Sequence, residues 1–107
     1  MSGRARLGEA EVAGFLASHH GWKSEQGELR RTYNFSSFNE SLRFVNEVAA
    51  IAERENHHPD ICLNYRRVKI ALLTYDMDGV TAKDTDLAVK IDALKAGFEK
   101  GSEKTSG

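Results

Sequence analysis

The sequence predicts an α+β fold in the order α-β-β-α-β-β-α, with a four-stranded antiparallel sheet covered on one face by helices. Three observations carry this. The hydrophobic pattern switches between helical and alternating periods along the 107 residues. Turn and capping signals stand at the switches. The alternating stretches come as two pairs, each short enough to be a hairpin.

In chain order, "LGEAEVAGFLASHHG" (residues 7 to 21) carries Val12, Phe15 and Leu16 at helical spacing and ends on Gly21. "WKSEQGELRRTYNF" then reads as a hairpin around Gln26-Gly27, with Leu29, Arg31, Tyr33 and Phe35 on one face of its second strand. Ser37-x-x-Glu40 has the form of a capping box and opens a helix that runs to about Asn56. After Pro59, Ile61, Leu63 and Tyr65 alternate with smaller or polar residues. Val68, Ile70 and Leu72 do the same across an Arg66-Arg67 connection, which gives a second hairpin. Thr81-x-x-Asp84 resembles another helix start, and Leu87, Val89, Ile91, Leu94 and Phe98 carry a last helix. Residues 1–6 and 101–107 read as flexible tails of a single domain spanning 1–107.

The middle helix has two apolar stripes. Phe38, Leu42, Val45, Ala49 and Ala52 form one, and Phe44, Val48 and Ile51 the other. Packing on one sheet uses one stripe. The second is left for the other helices or for the same helix of another subunit, so a homo-oligomer through this helix and the strand edges is expected.

Composition narrows the function. Fifteen basic residues stand against 16 acidic ones, without long runs of either sign, which argues against nucleic acid as the main partner. No apolar run approaches membrane-spanning length, and "MSGRARLGEA" lacks a secretory hydrophobic segment. Cys62 is the only cysteine, so neither a disulfide framework nor a Cys-rich zinc site is expected. A reducing, cytoplasmic setting follows, with a nuclear one open to a chain this small.

The chemistry-bearing stretch is "ENHHPDICLNY" (residues 55 to 65), where His57 and His58 precede the only proline. Histidine exchanges a proton near neutrality, which suits a general acid or base. Polar helix ends also often carry histidine, as His19-His20 before Gly21 illustrate. A metal site has little support, because adjacent side chains diverge and the chain has no CxxC or HxxxH pair. Glu53, four residues before His57, shares its helix face and could support the imidazole. Pro59 then forces a turn. Acids and bases with no obvious nucleophile suit proton-transfer chemistry such as a dehydration.

Glu53-x-x-x-His57-His58-Pro59, with Tyr65 and Asp84 following, resembles the signature of the pterin-4a-carbinolamine dehydratases. Gly21-Trp22, "YNFSSFNESLRFVNEVAAIAERENHHPD" and "VTAKDTDLAVKID" resemble family segments in order and spacing. The resemblance implies the α-β-β-α-β-β-α fold assembled as dimers or tetramers. It implies dehydration of 4a-hydroxytetrahydropterin to the quinonoid dihydropterin and water, in tetrahydrobiopterin recycling, with no metal or organic cofactor. Some members also serve as dimerisation cofactors of a transcription factor, so a non-catalytic partner of the same fold is the alternative.

By resemblance, His57 is the acid/base with Glu53 in support, and His58 mainly contacts the pterin. Asp84 and Trp22 are further substrate-side residues. Asp84 is equally the capping partner of Thr81, Trp22 equally a core or lid residue, and Glu53 equally a solvated charge. The family commonly carries a third histidine seventeen residues after the second of the pair, and that position here is Tyr75. A tyrosine is a poor proton shuttle at neutral pH and a usable hydrogen-bond donor. Three outcomes follow: assistance by Tyr75, a slower reaction on His57 alone, or a retained fold without activity.

Overall fold

Gln26 and Gly27 both hold positive φ, 54° and 78°, the backbone of a two-residue type I′ turn. They join β1 (Lys23–Glu25) to β2 (Glu28–Asn34) where the sequence placed the first hairpin. The computed structural model describes residues 6–106, with side chains through Phe98. The remaining elements are α1 (Glu9–Ser18), α2 (Phe38–Glu55), β3 (Asp60–Asn64), β4 (Arg67–Leu72), a short 3-10 turn (Tyr75–Met77) and α3 (Ala82–Ser106). The sheet order is β1-β2-β4-β3, antiparallel throughout, as the sequence predicts.

Alternation sorts the sheet's two faces. Leu29 and Tyr33 of β2 and Val68, Ile70 and Leu72 of β4 are buried beneath the helices. Phe44 and Val48 of α2 and Leu87, Ala88 and Ile91 of α3 complete that layer. The rings of Tyr33, Phe35 and Phe98 lie 5.0, 4.9 and 5.6 Å from the ring of Phe44. This aromatic cluster joins sheet, α2 and α3.

Helix ends follow the local chemistry. Ser37 Oγ accepts from Glu40 N at 3.1 Å, while the Glu40 carboxylate reaches back to Ser36 N. At the end of α1, His19 Nδ1 and His20 Nε2 bond the carbonyls of Phe15 and Ala17, so this pair closes a helix.

Three expectations need correction. The second hairpin turns at Tyr65-Arg66, one residue before the expected Arg66-Arg67, because Asn64 pairs with Arg67. Tyr65 takes φ 56°, a costly conformation for a bulky residue. Ser41 Oγ holds it by donating to Tyr65 O at 2.6 Å. Second, Ala52 does not share the fate of its expected stripe: it is buried with Phe44 and Val48 against the sheet, whereas Phe38 and Leu42 are 46 % and 38 % exposed. Third, of the expected tails, 1–5 and 107 lie outside the described residues, but Arg6 is bridged to Thr81 and donates to Asp78 O. Residues 101–106 continue α3, with no proline after Pro59 to stop it.

Candidate active site

Asn56 sets the direction of everything that follows. It ends α2 in the left-handed region at φ 52°, and His57 N reaches back to Ala52 O at 3.1 Å. This is a Schellman ending, which asparagine tolerates better than most side chains. Pro59 then forbids any return to helix, and β3 begins at Asp60.

The reversal at Asn56 sends the two histidines to different partners. His57 turns inward, its side chain 12 % exposed, and its Nε2 lies 2.6 Å from Asp84 Oδ1. His58 turns outward, its side chain 55 % exposed, with Nε2 2.7 Å from Glu53 Oε2. The expected support of His57 by Glu53 is therefore corrected. Helical i, i+4 spacing ends with the helix, and Glu53 holds His58 instead.

Asp84 is fully buried at the start of α3. Its Oδ2 accepts from Thr74 Oγ1 at 2.7 Å and from Thr81 N at 2.9 Å. The Thr81 bond is the reciprocal half of a helix cap, so the capping reading and the site reading of Asp84 both hold. Because Thr74 spends its one proton on Asp84, its 2.8 Å contact with Thr81 Oγ1 takes the proton from Thr81. Thr81 Oγ1 in turn accepts from Lys83 N. Every group here has a fixed direction, and Asp84 only accepts. His57 must then carry a proton on Nε2, which leaves Nδ1 as the nitrogen free to exchange one. A buried carboxylate with its donors in place fixes both ring orientation and tautomer.

Tyr75 opens the short 3-10 turn after β4 and is 67 % exposed. Its hydroxyl points to Asp60, 3.3 and 3.5 Å from the two carboxylate oxygens. The Asp60 charge raises the phenol above the usual tyrosine range, with desolvation second. Thr74, which precedes Tyr75 in the chain, bonds Asp84, the partner of His57.

Trp22 sits apart from this arrangement. It is 4 % exposed, its Nε1 donates to Asp92 Oδ2 at 2.9 Å, and its ring meets Tyr33 edge-on. Tyr33 and Arg31 also donate to Asp92, and burial pushes the Tyr33 hydroxyl far above its usual range. The core reading of Trp22 thus describes its surroundings.

On the open face of the sheet runs a groove of about 590 Å³, bordered by Glu28, Arg30, Asp60, Cys62 and Lys69. Asp60 is the lining residue that adjoins the histidine pair. Among the described residues, no group of three or more His, Cys, Asp and Glu is placed to hold a metal ion. No helix among them is long and apolar enough to cross a membrane.

Three contributors escaped the sequence reading: Thr74, the hydroxyl of Thr81, and Asp60. Thr74 carries no periodic signal, and Asp60 gains meaning only once Tyr75 is seen across from it.

Comparison with known proteins identifies the family and the fold. Residues 5–94 match the family model described as Pterin 4 alpha carbinolamine dehydratase. A protein of Chloroflexus aurantiacus named "Putative pterin-4-alpha-carbinolamine dehydratase" is 45 % identical over 89 residues, covering 83 % of this chain and 96 % of its own. A protein of Sulfolobus acidocaldarius with the same name is 40 % identical over 90 residues, covering 84 % and 99 %. Among solved structures, a transcriptional coactivator/pterin dehydratase from Brucella melitensis superposes with a TM-score of 0.80 at 32 % identity, covering 83 % of this chain and 97 % of that one. A pterin dehydratase-like protein identified as a RuBisCO assembly factor in the alpha-carboxysome gives 0.60 at 25 % identity, covering 71 % and 90 %. With a family match across most of its length and relatives at 40 and 45 % identity, the chain belongs to the pterin-4a-carbinolamine dehydratase family.

Proposed function

We propose that the protein dehydrates 4a-hydroxytetrahydropterins to the quinonoid dihydropterin and water by histidine acid/base catalysis, as in tetrahydrobiopterin recycling in the cytoplasm. The observation that carries this reading is His57 Nε2 on buried Asp84 at 2.6 Å, with Nδ1 left to exchange a proton. The reaction needs a proton delivered to the departing C4a hydroxyl and another removed from the adjacent ring nitrogen. Protonated His57 supplies the first. The chemistry is proton transfer alone, so the proposal includes no metal or organic cofactor.

His58, steered by Glu53, contacts the pterin, and Asp84 acts on substrate through His57. An exposed Glu53–His58 pair contributes little to stability, so its use lies in orientation. Changing His58→Ala is therefore expected to leave the melting temperature nearly unchanged and to weaken pterin binding by about tenfold, the loss of one charge-assisted hydrogen bond. Calorimetric titration with a reduced pterin checks this, and unchanged affinity would remove His58 from the binding site.

The exposed Phe38 and Leu42 support self-association through α2 and the free edges of the sheet as a homodimer or homotetramer. Sedimentation equilibrium of Leu42→Glu is expected to give a smaller assembly than the wild type. Equal masses would rule this face out.

Tyr75 favours one second reading, a non-catalytic oligomerisation or regulatory partner of the same fold. A structural relative identified as an assembly factor lends it weight. The complete His57–Asp84–Thr74–Thr81 network of this chain favours the enzyme.

A further inference from the structure

The Asp60–Tyr75 pair has no part in the roles assigned above. Asp60 opens β3 two residues after His58, and Tyr75 follows the Thr74 that bonds Asp84. Both members thus neighbour residues of the histidine cluster in the chain. An ionised carboxylate can only accept, so the single phenolic proton points to Asp60 and the oxygen's lone pairs are turned to the outside. A phenol held this way cannot donate to a leaving hydroxyl. It can accept a proton from a substrate N–H while passing its own to Asp60. The charged groups facing it from other elements, Asp60 on β3 and Glu28 on β2, are both acidic and keep the phenol protonated in the resting state.

We propose that Asp60 is a positioning residue for the dehydration, acting through Tyr75 as the outer end of a proton relay. The proposal rests on the dehydratase reading. In the step, the C4a–O bond breaks with its electron pair on oxygen, which takes a proton from the His57 imidazolium and leaves as water. The N5 lone pair forms the C4a=N5 bond. The proton then lost from N5 moves to the Tyr75 oxygen as the phenolic proton moves to Asp60, so Tyr75 ends neutral and Asp60 protonated. Asp60 is exposed and returns its proton to solvent, from which His57 is recharged.

The test is stopped-flow decay of a 4a-hydroxytetrahydropterin with wild type, Asp60→Asn, Tyr75→Phe and the double variant. Tyr75→Phe is expected to lower kcat by on the order of 10²-fold, the lower end for a group that takes the proton directly, and Asp60→Asn by about tenfold, with KM little changed in both. The double variant should be no slower than Tyr75→Phe, because Asp60 acts only through the phenol. Asp60→Asn should also alter the acid limb of the pH–rate profile. Losses that multiply in the double variant, or wild-type kcat in Asp60→Asn, overturn the relay and leave the dehydratase reading standing. A wild type that gives no acceleration removes that reading and the relay with it. A readout without turnover is the titration of ¹³C-labelled tyrosine by NMR, where Asp60→Asn should move the Tyr75 transition to lower pH. An unmoved transition overturns the pairing on which the relay depends.

Discussion

Changing His57→Ala is expected to lower kcat by on the order of 10²–10⁴-fold, the usual contribution of a positioned acid or base. It should leave KM much closer to the wild-type value. The reasoning is geometric. His57 is the one histidine of the pair with a buried carboxylate behind it, which fixes its tautomer and leaves Nδ1 outside that bond, the atom proposed to exchange the proton. His58 is exposed and held outward by Glu53, and it cannot take over the inward position beyond Asn56. The same substitution leaves Asp84 Oδ1 buried without its donor, which costs about 1–3 kcal/mol. Activity should therefore be read well below the melting transition, with circular dichroism establishing that the variant is folded. A folded His57→Ala variant with wild-type kcat would show that the proton comes from elsewhere.

Asp84→Ala is expected to be the most destabilising single change at the site. It removes the acceptor of His57, Thr74 and Thr81 N together and takes the acidic residue from the first turn of α3. Losing one partner of a buried charged network costs about 3–5 kcal/mol, against roughly 5–15 kcal/mol for a whole domain. Urea unfolding measures the loss, and a change below about 1 kcal/mol would contradict the network as described. Asp84→Asn separates stability from chemistry. Its amide has one accepting oxygen for three donors, so its nitrogen must face either His57 or the threonine side. If it faces His57, the imidazole proton is forced onto Nδ1 and the site carries the wrong tautomer. That variant should fold better than Asp84→Ala and still lose most of its activity.

The element order was legible because the chain marks its own switches. Gly27 permits the first turn, Ser37 caps α2, Pro59 ends the helical run, and Thr81-x-x-Asp84 opens α3. The histidine pair was legible as a site for the same reason, standing at such a switch. Its wiring was not. Reading Glu53 with His57 assumed that helical spacing continues, and a left-handed Asn56 cancels that assumption within one residue. The Tyr65 turn was missed because a bulky residue at positive φ is held by a distant hydroxyl, Ser41, that no local pattern announces. Which stripe of α2 faces the sheet was undecided for a related reason. Both stripes are apolar, and the choice depends on how Phe44 fits among Tyr33, Phe35 and Phe98. Long-range partners such as Thr74 for Asp84 follow from the assembled fold alone.

The proposed activity is an accelerated loss of water from a 4a-hydroxytetrahydropterin. The most direct measurement is stopped-flow absorbance of that decay, with purified wild type against buffer. Faster decay in proportion to protein concentration is expected, with the quinonoid dihydropterin as the product. Decay at the buffer rate across the concentration range would contradict it and leave a non-catalytic partner as the reading to pursue.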